Sequence, residues 1–162
     1  MNIRHLMTLG SLGLAVFPHA PRASEAAIDL RGTGVQVYTC DPIGAGFAWH
    51  LKAPDALLFD AAGQQVGRHF AGPSWQATDG STVVGDTRVS SKAPQADSIP
   101  WLVLRVKSES GAGAFAKVRT ITRTKTEGGA MPTTGCDAAH AGAEARVPYS
   151  AEYTFFRAAA AP

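Results

Sequence analysis

Residues 69–85, HFAGPSWQATDGSTVVG, bring together side chains that could carry out nucleophilic or acid–base chemistry. Ser81 is a potential nucleophile, and His69 and Asp79 are the residue types that activate and orient such a hydroxyl. Trp75 in the same stretch could instead stack on the face of a sugar. Catalysis and ligand binding are therefore the two functions to weigh against a purely structural one.

The aspartate and the glycines of this stretch favour turn geometry over catalysis. Asp79-Gly80 lies between the strand-like runs SWQAT and STVVG, and a two-residue Asp-Gly link predicts a type I′ hairpin turn. That register would pair Thr78 with Ser81. Asp79 and Ser81 are interpreted as turn residues, so no catalytic residue is predicted.

His69, Trp75 and His140 remain as candidate ligand-binding residues. Period-two alternation puts Phe70 and His69 on opposite strand faces, so a core-facing Phe70 would turn His69 outward. The long segment 124–147, which carries His140, could cover that outer surface. These observations predict a shallow binding site. The alternative is that His69 hydrogen-bonds a loop carbonyl and fixes the corner.

A metal-assisted hydrolytic enzyme is a second hypothesis for the histidines. They have no H-x-H or H-x₃-H spacing, so only the fold could bring ligands together. Neither H-E-x-x-H nor G-x-S-x-G is present. We predict no metal and no other cofactor. The residues that this alternative would use are His50, His69 or His140, with Asp55, Asp60, Asp79 or Asp137.

One stretch, GAGAFA (111–116), matches a relaxed dinucleotide-binding pattern. It leads into KVRTITRT, which alternates as a strand does, whereas a Rossmann unit requires a helix at that point. We therefore predict that 111–116 is a hairpin connection.

The N-terminal residues predict export. LMTLGSLGLAVF (6–17) has the length of a secretory apolar region, follows Arg4 and precedes a proline and small residues. It is too short to span a bilayer as a helix. Residues 1–26 are predicted to be a signal peptide, cleaved after Ala23 or Ala26, and the protein to be periplasmic or secreted. A buried N-terminal helix is the alternative.

Cys40 and Cys136 are the only cysteines, and two cysteines in an exported protein most simply form one disulfide. A bridge that closes a loop of nearly the whole domain is worth about 4–5 kcal/mol in the chain-entropy model. Free thiols or a redox pair are the alternative, and the absence of a C-x-x-C spacing counts against redox chemistry.

The charge distribution argues against nucleic acid as a partner. The formal net charge of the whole chain is +2, and the predicted signal peptide contains two of the basic residues. The remainder has no Lys/Arg block of the kind that tracks a phosphate backbone. We predict neither a nucleic-acid partner nor a membrane span.

Short strands separated by glycine and proline dominate the rest of the chain. Period-two alternation recurs, and helical periodicity is almost absent. This pattern predicts an all-β fold, an antiparallel β-sandwich or barrel. Residues 27–157 form the single predicted domain and 158–162 a flexible tail. Strands are predicted at 35–39, 47–52, 56–60, 66–70, 101–107, 117–123 and 149–157.

The segment 124–147 lacks a sustained strand pattern. Compact domains rarely keep so long a loop unless it is functional or disordered. Because Cys136 would pin its middle to Cys40, we predict one long, disulfide-pinned loop. Single helical turns are predicted within 53–58 and 137–144, the second capped by Asp137.

Five sequence blocks occur in an order that resembles one known family. They are VYTC (37–40), FAWHLKAPDALLFDAAGQQVGRHFAGPSWQATDGSTVVG (47–85), IPWLVLRVK (99–107), GGAMPTTGC (128–136) and RVPYSAEYTFF (146–156). Together they resemble the domain-of-unknown-function family numbered 3455, found in exported bacterial and fungal proteins. The resemblance implies a domain boundary and an extracytoplasmic location, and it transfers no catalytic residue.

Three functions are compatible with these features. The first is a non-enzymatic exported binding or surface module, with a carbohydrate or cell-envelope polymer as the ligand considered. The second is the metal-assisted enzyme described above. The third is a structural matrix or secreted-assembly protein, which would expose a large apolar patch. We favour the first, because no catalytic constellation is found.

Overall fold

Eight antiparallel strands form a closed barrel, in which each strand pairs with its neighbours in the chain and the last pairs with the first. This computed structural model describes residues 27–158, so the predicted signal peptide and most of the predicted tail lie outside them. The all-β prediction is confirmed, and the barrel is the architecture formed. The elements are β1 (Ala27–Ile43), β2 (Gly46–Phe59), β3 (Gln65–Phe70), β4 (Ser74–Ala77), β5 (Thr82–Ser91), β6 (Trp101–Ser110), β7 (Val118–Gly128), a 3₁₀ helix (Ala138–His140) and β8 (Glu144–Arg157).

Side chains fill the barrel interior. Eight strands enclose a space just wide enough for side chains from opposite walls to meet. On β8, alternation directs Tyr149, Ala151, Tyr153 and Phe155 inward, where all four are buried. The largest fully buried side chains are Trp75, Tyr153, Phe115, Phe155, Leu58, Leu104 and Ile121. The core is therefore rich in aromatic rings. Its packing holds the strands in place, and the opposite faces of these strands carry the outer side chains.

The β1–β2 hairpin extends past the end of β3. β2 pairs with β3 only from Ala56 to Phe59, whereas β1 accompanies β2 along nearly its whole length. Residues 129–143, here called the flap, connect β7 to β8. The flap is tied to this extension by the Cys40–Cys136 disulfide, so the predicted bridge is confirmed.

Hydrogen bonds reinforce the attachment of the flap. The Tyr38 hydroxyl donates to the Gly129 carbonyl at 2.6 Å, and Trp49 Nε1 donates to the Thr134 carbonyl at 2.8 Å. Trp49 pairs directly with Cys40 across the hairpin, so the two share one face. The flap therefore covers that face of the hairpin.

The irregular segment is shorter than the sequence suggested. β7 continues to Gly128 and β8 begins at Glu144, because a bulge interrupts the alternation of β7 without ending the strand. Residues 53–58 lie in β2, not in a helical turn, since pairing with β1 outweighs their local helix propensity. The other predicted turn is confirmed: the Asp137 carboxylate caps the 3₁₀ helix by accepting two backbone N–H bonds. Within residues 27–158, no helix is long and apolar enough to cross a membrane.

The hairpin at Asp79-Gly80 forms with a different turn from the predicted one. Trp75 pairs with Val83, which is one residue out of the type I′ register. The Gly80 N–H donates to the Ala77 carbonyl, and φ is positive at Gly80 (+87°) but not at Asp79. This is a three-residue loop with its glycine in the left-handed region. The aspartate avoids positive φ because its carboxylate instead accepts bonds from the backbone that follows it.

Candidate functional site

His69 and Trp75 lie inside the barrel. They pair across β3 and β4, and their rings stack with centroids 4.3 Å apart and planes 7° from parallel. Both are almost fully buried, at 2% and 1% exposure. The prediction that His69 faces away from the core is therefore wrong. Phe70 takes the outer face instead, where the guanidinium of Arg68 covers its ring at 4.9 Å.

Burial decides the protonation state of His69. Its Nδ1 lies 2.8 Å from the Ser74 carbonyl oxygen, and since a carbonyl can only accept, Nδ1 carries the hydrogen. Burial lowers the pKa of His69 to about 3, although the bond to Ser74 acts in the opposite direction. His69 is therefore neutral near pH 7. The bond to Ser74 joins the two sides of the corner between β3 and β4, as the structural alternative supposed.

The other candidates from the sequence are dispersed. His140 is exposed in the flap, where its Nδ1 lies 2.7 Å from an oxygen of Asp137. His50 is exposed on β2, Asp55 pairs with an arginine of β8 at 2.6 Å, and Asp60 accepts two backbone N–H bonds in its own turn. Among residues 27–158, no three His, Cys, Asp or Glu side chains converge as metal ligands would. The structure buries His69 and leaves His140 on the surface, so the predicted group of three does not share one surface.

Asp79 and Ser81 organise the loop between β6 and β7. The Asp79 carboxylate accepts from the Ser81 N–H and hydroxyl, at 2.8 and 2.6 Å, and from the Ala114 N–H at 2.7 Å. Ser81 Oγ in turn accepts from the Phe115 N–H at 3.1 Å. These bonds, the Ser81 hydroxyl first, hold the pKa of Asp79 below its usual value. Residues 111–116 are held as the hairpin connection that the sequence predicted.

Two tyrosines and an arginine complete the polar part of the interior, and the sequence analysis did not single them out. The hydroxyls of Tyr149 and Tyr153 lie 3.2 Å apart. Burial raises the pKa of both phenols, while the positive charge of Arg123 acts in the opposite direction. Both phenols therefore stay protonated at neutral pH, so neither is available as a base. The spacing of four residues in YSAEYTFFR, which puts both rings on one face of a strand, is the signal that could have found them.

The outer face of β6 presents a partly exposed tryptophan between two hollows. Trp101, Val103 and Arg105 share this face, which we call the β6 strip, because Leu102 and Leu104 pack into the core. Trp101 and Val103 line a hollow of about 140 Å³ between β5 and β7. Trp101 also lines a second hollow of about 290 Å³, beside the loop that precedes β6.

Apolar and polar groups alternate around these hollows. Val89 and Val103 pair across β5 and β6 and are 51% and 38% exposed, which gives the first hollow an apolar floor. Gln95, Lys125 and Glu127 line the second hollow, and the Lys125 ammonium pairs with Glu152 at 2.8 Å. An apolar surface with a few hydrogen-bonding groups at its rim suits a ligand that has an apolar face and a polar edge.

The backbone beside Trp101 is held firmly. Arg123 donates from Nε and Nη2 to the Pro100 carbonyl, at 3.0 and 2.8 Å. Thr126 Oγ1 donates to the Ile99 carbonyl at 2.7 Å. These bonds hold the backbone just before Trp101, and a backbone ordered before binding loses less entropy on complex formation.

The sequence carries a signal for this surface in the run WLVLRVK (101–107). In WLVLRVK, alternation puts Trp101 on the same face as Arg105 and Lys107, opposite three aliphatic residues. A tryptophan that shares one face of a strand with charged residues is expected to face away from the core. The first four of the seven residues are all aliphatic or aromatic, so the run reads as an apolar strand unless its two faces are considered separately.

A family model described as a protein of unknown function (DUF3455) matches residues 21–157. The chain belongs to this family. The resemblance seen in the sequence is confirmed, and the DUF3455 match includes all eight strands, the flap and the β6 strip. No curated protein and no solved structure matches the chain.

Proposed function

We propose that this chain is an exported binding module without a catalytic function, and that its ligand is a saccharide bound along the β6 strip. The observation that carries the proposal is the partly exposed Trp101, which lies between two hollows and follows a backbone segment held by Arg123 and Thr126. An indole can stack on the apolar face of a sugar ring while neighbouring polar groups bind its hydroxyls.

The tryptophan proposed to stack on the ligand is Trp101 and not Trp75, the candidate that the sequence suggested. Trp75 is 1% exposed and so has no surface left for a ligand. Trp49 is partly exposed, but its indole N–H already holds the flap. Among residues 27–158, no group bonds the Trp101 indole N–H, which is itself buried, and hollows adjoin the ring. It is therefore the tryptophan best suited to stack on a ligand.

The partners of the other polar candidates support binding over catalysis. Asp79 and Ser81 are engaged with the β6–β7 loop, and Asp137 is engaged with the 3₁₀ helix that it caps. His69 is buried against aromatic rings and bonded to a carbonyl. A nucleophile and its base must reach both each other and a substrate. Asp79, Ser81, Asp137 and His69 line neither of the two hollows beside Trp101, where a substrate would have to meet a nucleophile and its base.

Export is supported by the pattern of residues 1–26 and by the disulfide, because disulfides persist in oxidising compartments. The full chain, expressed with a C-terminal tag in a bacterial host, should appear in the periplasm or medium. Its N-terminus, read by Edman or mass-spectrometric sequencing, should be Ser24 or Ala27. Recovery of an uncleaved cytoplasmic protein would contradict export.

A glycan array probed with the mature protein tests the ligand class. We expect binding to a subset of polysaccharides, and Trp101→Ala should weaken it by about tenfold or more, as truncation of a central tryptophan commonly does. Leu51→Ala is the matched control, because Leu51 is an exposed apolar residue (59%) of the β1–β2 hairpin that lines neither hollow. Retained binding by Trp101→Ala, or an array without any bound glycan, would overturn the proposal. The melting temperatures of both variants show whether they are folded.

A further inference from the structure

Three arginines line a single hollow at the far end of the β6 strip. Arg88 comes from β5, Arg105 from β6 and Arg119 from β7, and together they border a hollow of about 570 Å³. Val103 lines both this hollow and the one beside Trp101. The cationic hollow and the tryptophan therefore belong to one continuous surface.

Arg88 and Arg119, the two arginines on the strands that flank β6, each lie in a β-bulge. Thr87 and Val89 pair with consecutive residues of β6, which leaves Arg88 as the extra residue of β5. Bulges re-aim a side chain and are over-represented next to functional sites. In this case the bulge breaks the alternation of β5 next to Arg105.

A second bulge lies in β7, the strand on the other side of β6. Val118 and Thr120 pair with the consecutive residues Arg157 and Phe156 of β8, so Arg119 is the extra residue of β7. Thr120 pairs with Arg105, which brings the neighbouring Arg119 to the same hollow. Each strand that flanks β6 thus has a bulge at its arginine, and the three arginines line one hollow.

The positive charge of this hollow is only weakly neutralised. Arg88 pairs with Asp86 and Arg119 with Glu109, each at 2.9 Å, but both arginine side chains are about half exposed, at 55% and 51%. Exposed pairs of this kind contribute little and exchange readily with a competing anion. Among residues 27–158, no carboxylate forms an ion pair with Arg105. Three guanidinium groups against the carboxylates of Asp86 and Glu109 leave a net charge of +1, which an anionic group can neutralise.

We infer that the ligand is an acidic polysaccharide, a polyuronate, whose carboxylates bind Arg88, Arg105 and Arg119 while a sugar ring further along stacks on Trp101. This inference rests on the proposed function and adds the charge of the ligand. From Trp101 to Arg105 the strip is about 13 Å long, so a chain of several sugar units can contact both ends. The planar guanidinium matches a carboxylate with two parallel hydrogen bonds.

Nucleic acid fits this surface less well. The hollows beside Trp101 and the arginines have carboxylates at their edges, Glu127 at one end and Asp86 and Glu109 at the other. Each sugar unit of a polyuronate also carries hydroxyl groups that can donate to these carboxylates, whereas a phosphodiester group has no hydrogen-bond donor to offer them. The strip also lacks a continuous run of lysine and arginine.

The experiment compares charged and uncharged forms of one saccharide. Titration calorimetry with the mature protein would use hexagalacturonate, hexamannuronate and the methyl ester of hexagalacturonate, which keeps the backbone but has no charge. We expect at least one uronate to bind, and esterification and Arg105→Gln each to weaken that binding by about tenfold, as loss of a charge-assisted hydrogen bond does. The control Arg68→Gln removes an exposed arginine of β3 and should leave the affinity unchanged.

The outcomes separate this inference from the proposed function. If neutral and acidic glycans bind equally well and only Trp101→Ala weakens them, the polyuronate inference is overturned and the saccharide module stands. If no glycan binds at all, both fail. If a single-stranded oligonucleotide binds more tightly than either uronate and depends on Arg105, the polysaccharide assignment is overturned. Unaltered uronate binding by Arg105→Gln would likewise refute the assignment of the arginines.

Discussion

The rings of His69 and Trp75 stack almost parallel, 4.3 Å apart, and Tyr153 meets both edge-on, at 5.4 Å from His69 and 5.7 Å from Trp75. Stacked and edge-to-face contacts are the favoured geometries of aromatic pairs. The histidine therefore acts as one ring of an aromatic core. Its placement there makes the stability of the fold depend on its staying neutral.

Acid should destabilise the protein through His69. The folded-state pKa of about 3 lies below the ordinary value of 6.5, so the unfolded chain takes up this proton more readily. The free energy of unfolding should fall as the pH decreases from about 6.5 towards 3, by about 1.4 kcal/mol per pH unit from this group. His69→Phe keeps a ring of similar size and removes the titration. Urea denaturation at pH 6, 5 and 4 should show a shallower pH dependence in the variant, and identical slopes would refute the assignment.

Removal of the disulfide should destabilise the protein strongly. Cys40 and Cys136 are 96 residues apart in the chain, and replacing both by serine frees a loop of most of the domain in the unfolded state. We expect a loss of about 2–5 kcal/mol in the free energy of unfolding, measured by denaturant titration. Alkylation of the denatured, unreduced wild-type protein is the check on the bridge itself. Two labelled thiols there would show that the bridge is absent from the protein in solution.

Gly80→Val should destabilise the β4–β5 hairpin. Gly80 has a φ of +87°, which a β-branched residue adopts only with strain, although no atom lies close enough to clash with a new Cβ. The expected cost is about 1–2 kcal/mol, seen as a lower melting temperature. Gly46→Val is the control, since a Cβ at Gly46 would meet only the Ile43 carbonyl oxygen at 3.9 Å, an ordinary contact, and Gly46 has no positive φ. Equal melting temperatures of the two variants would mean that the turn is misassigned.

Gly32→Ala should overpack the core. A Cβ at Gly32 would lie 2.6 Å from Cε2 of Tyr153, a ring that is fully buried and cannot move freely. Overpacking of this kind costs about 1–3 kcal/mol. The same substitution in a Tyr153→Leu background should cost much less, because the clashing ring is absent, and a double-mutant cycle measures the difference. Additive effects of the two substitutions would contradict the contact.

The β3 strand shows why the sequence could place residues on a face but not decide which face is buried. Alternation correctly separated His69 from Phe70 and Arg68, yet the larger apolar ring was expected inside. A period of two defines two equivalent faces, and the choice between them is made by pairing with the other strands. Closure of the barrel turns His69 and Trp75 inward, where they pack against Tyr153.

The hairpin at Gly80 shows the same limit for register. The position of the turn followed from Asp-Gly, but its length did not, since two-residue and three-residue loops share these residue types. The Asp79 carboxylate accepts from the Ser81 N–H in this turn and also from the N–H of Ala114, a contact distant in the chain that no local pattern reveals.

By itself, the sequence determined the all-β class, the partners of the single disulfide and the cap at Asp137. Each of these depends on local alternation, on residue counts or on a side chain that bonds its own backbone. Only the tertiary structure decided that Trp75 is buried and Trp101 is partly exposed, because both occur in strands and burial is set by closure of the sheet. The tertiary structure alone also brought Arg88 and Arg119 to one hollow. Each is the extra residue of a β-bulge, and a bulge becomes visible only when the pairing with the neighbouring strand is known.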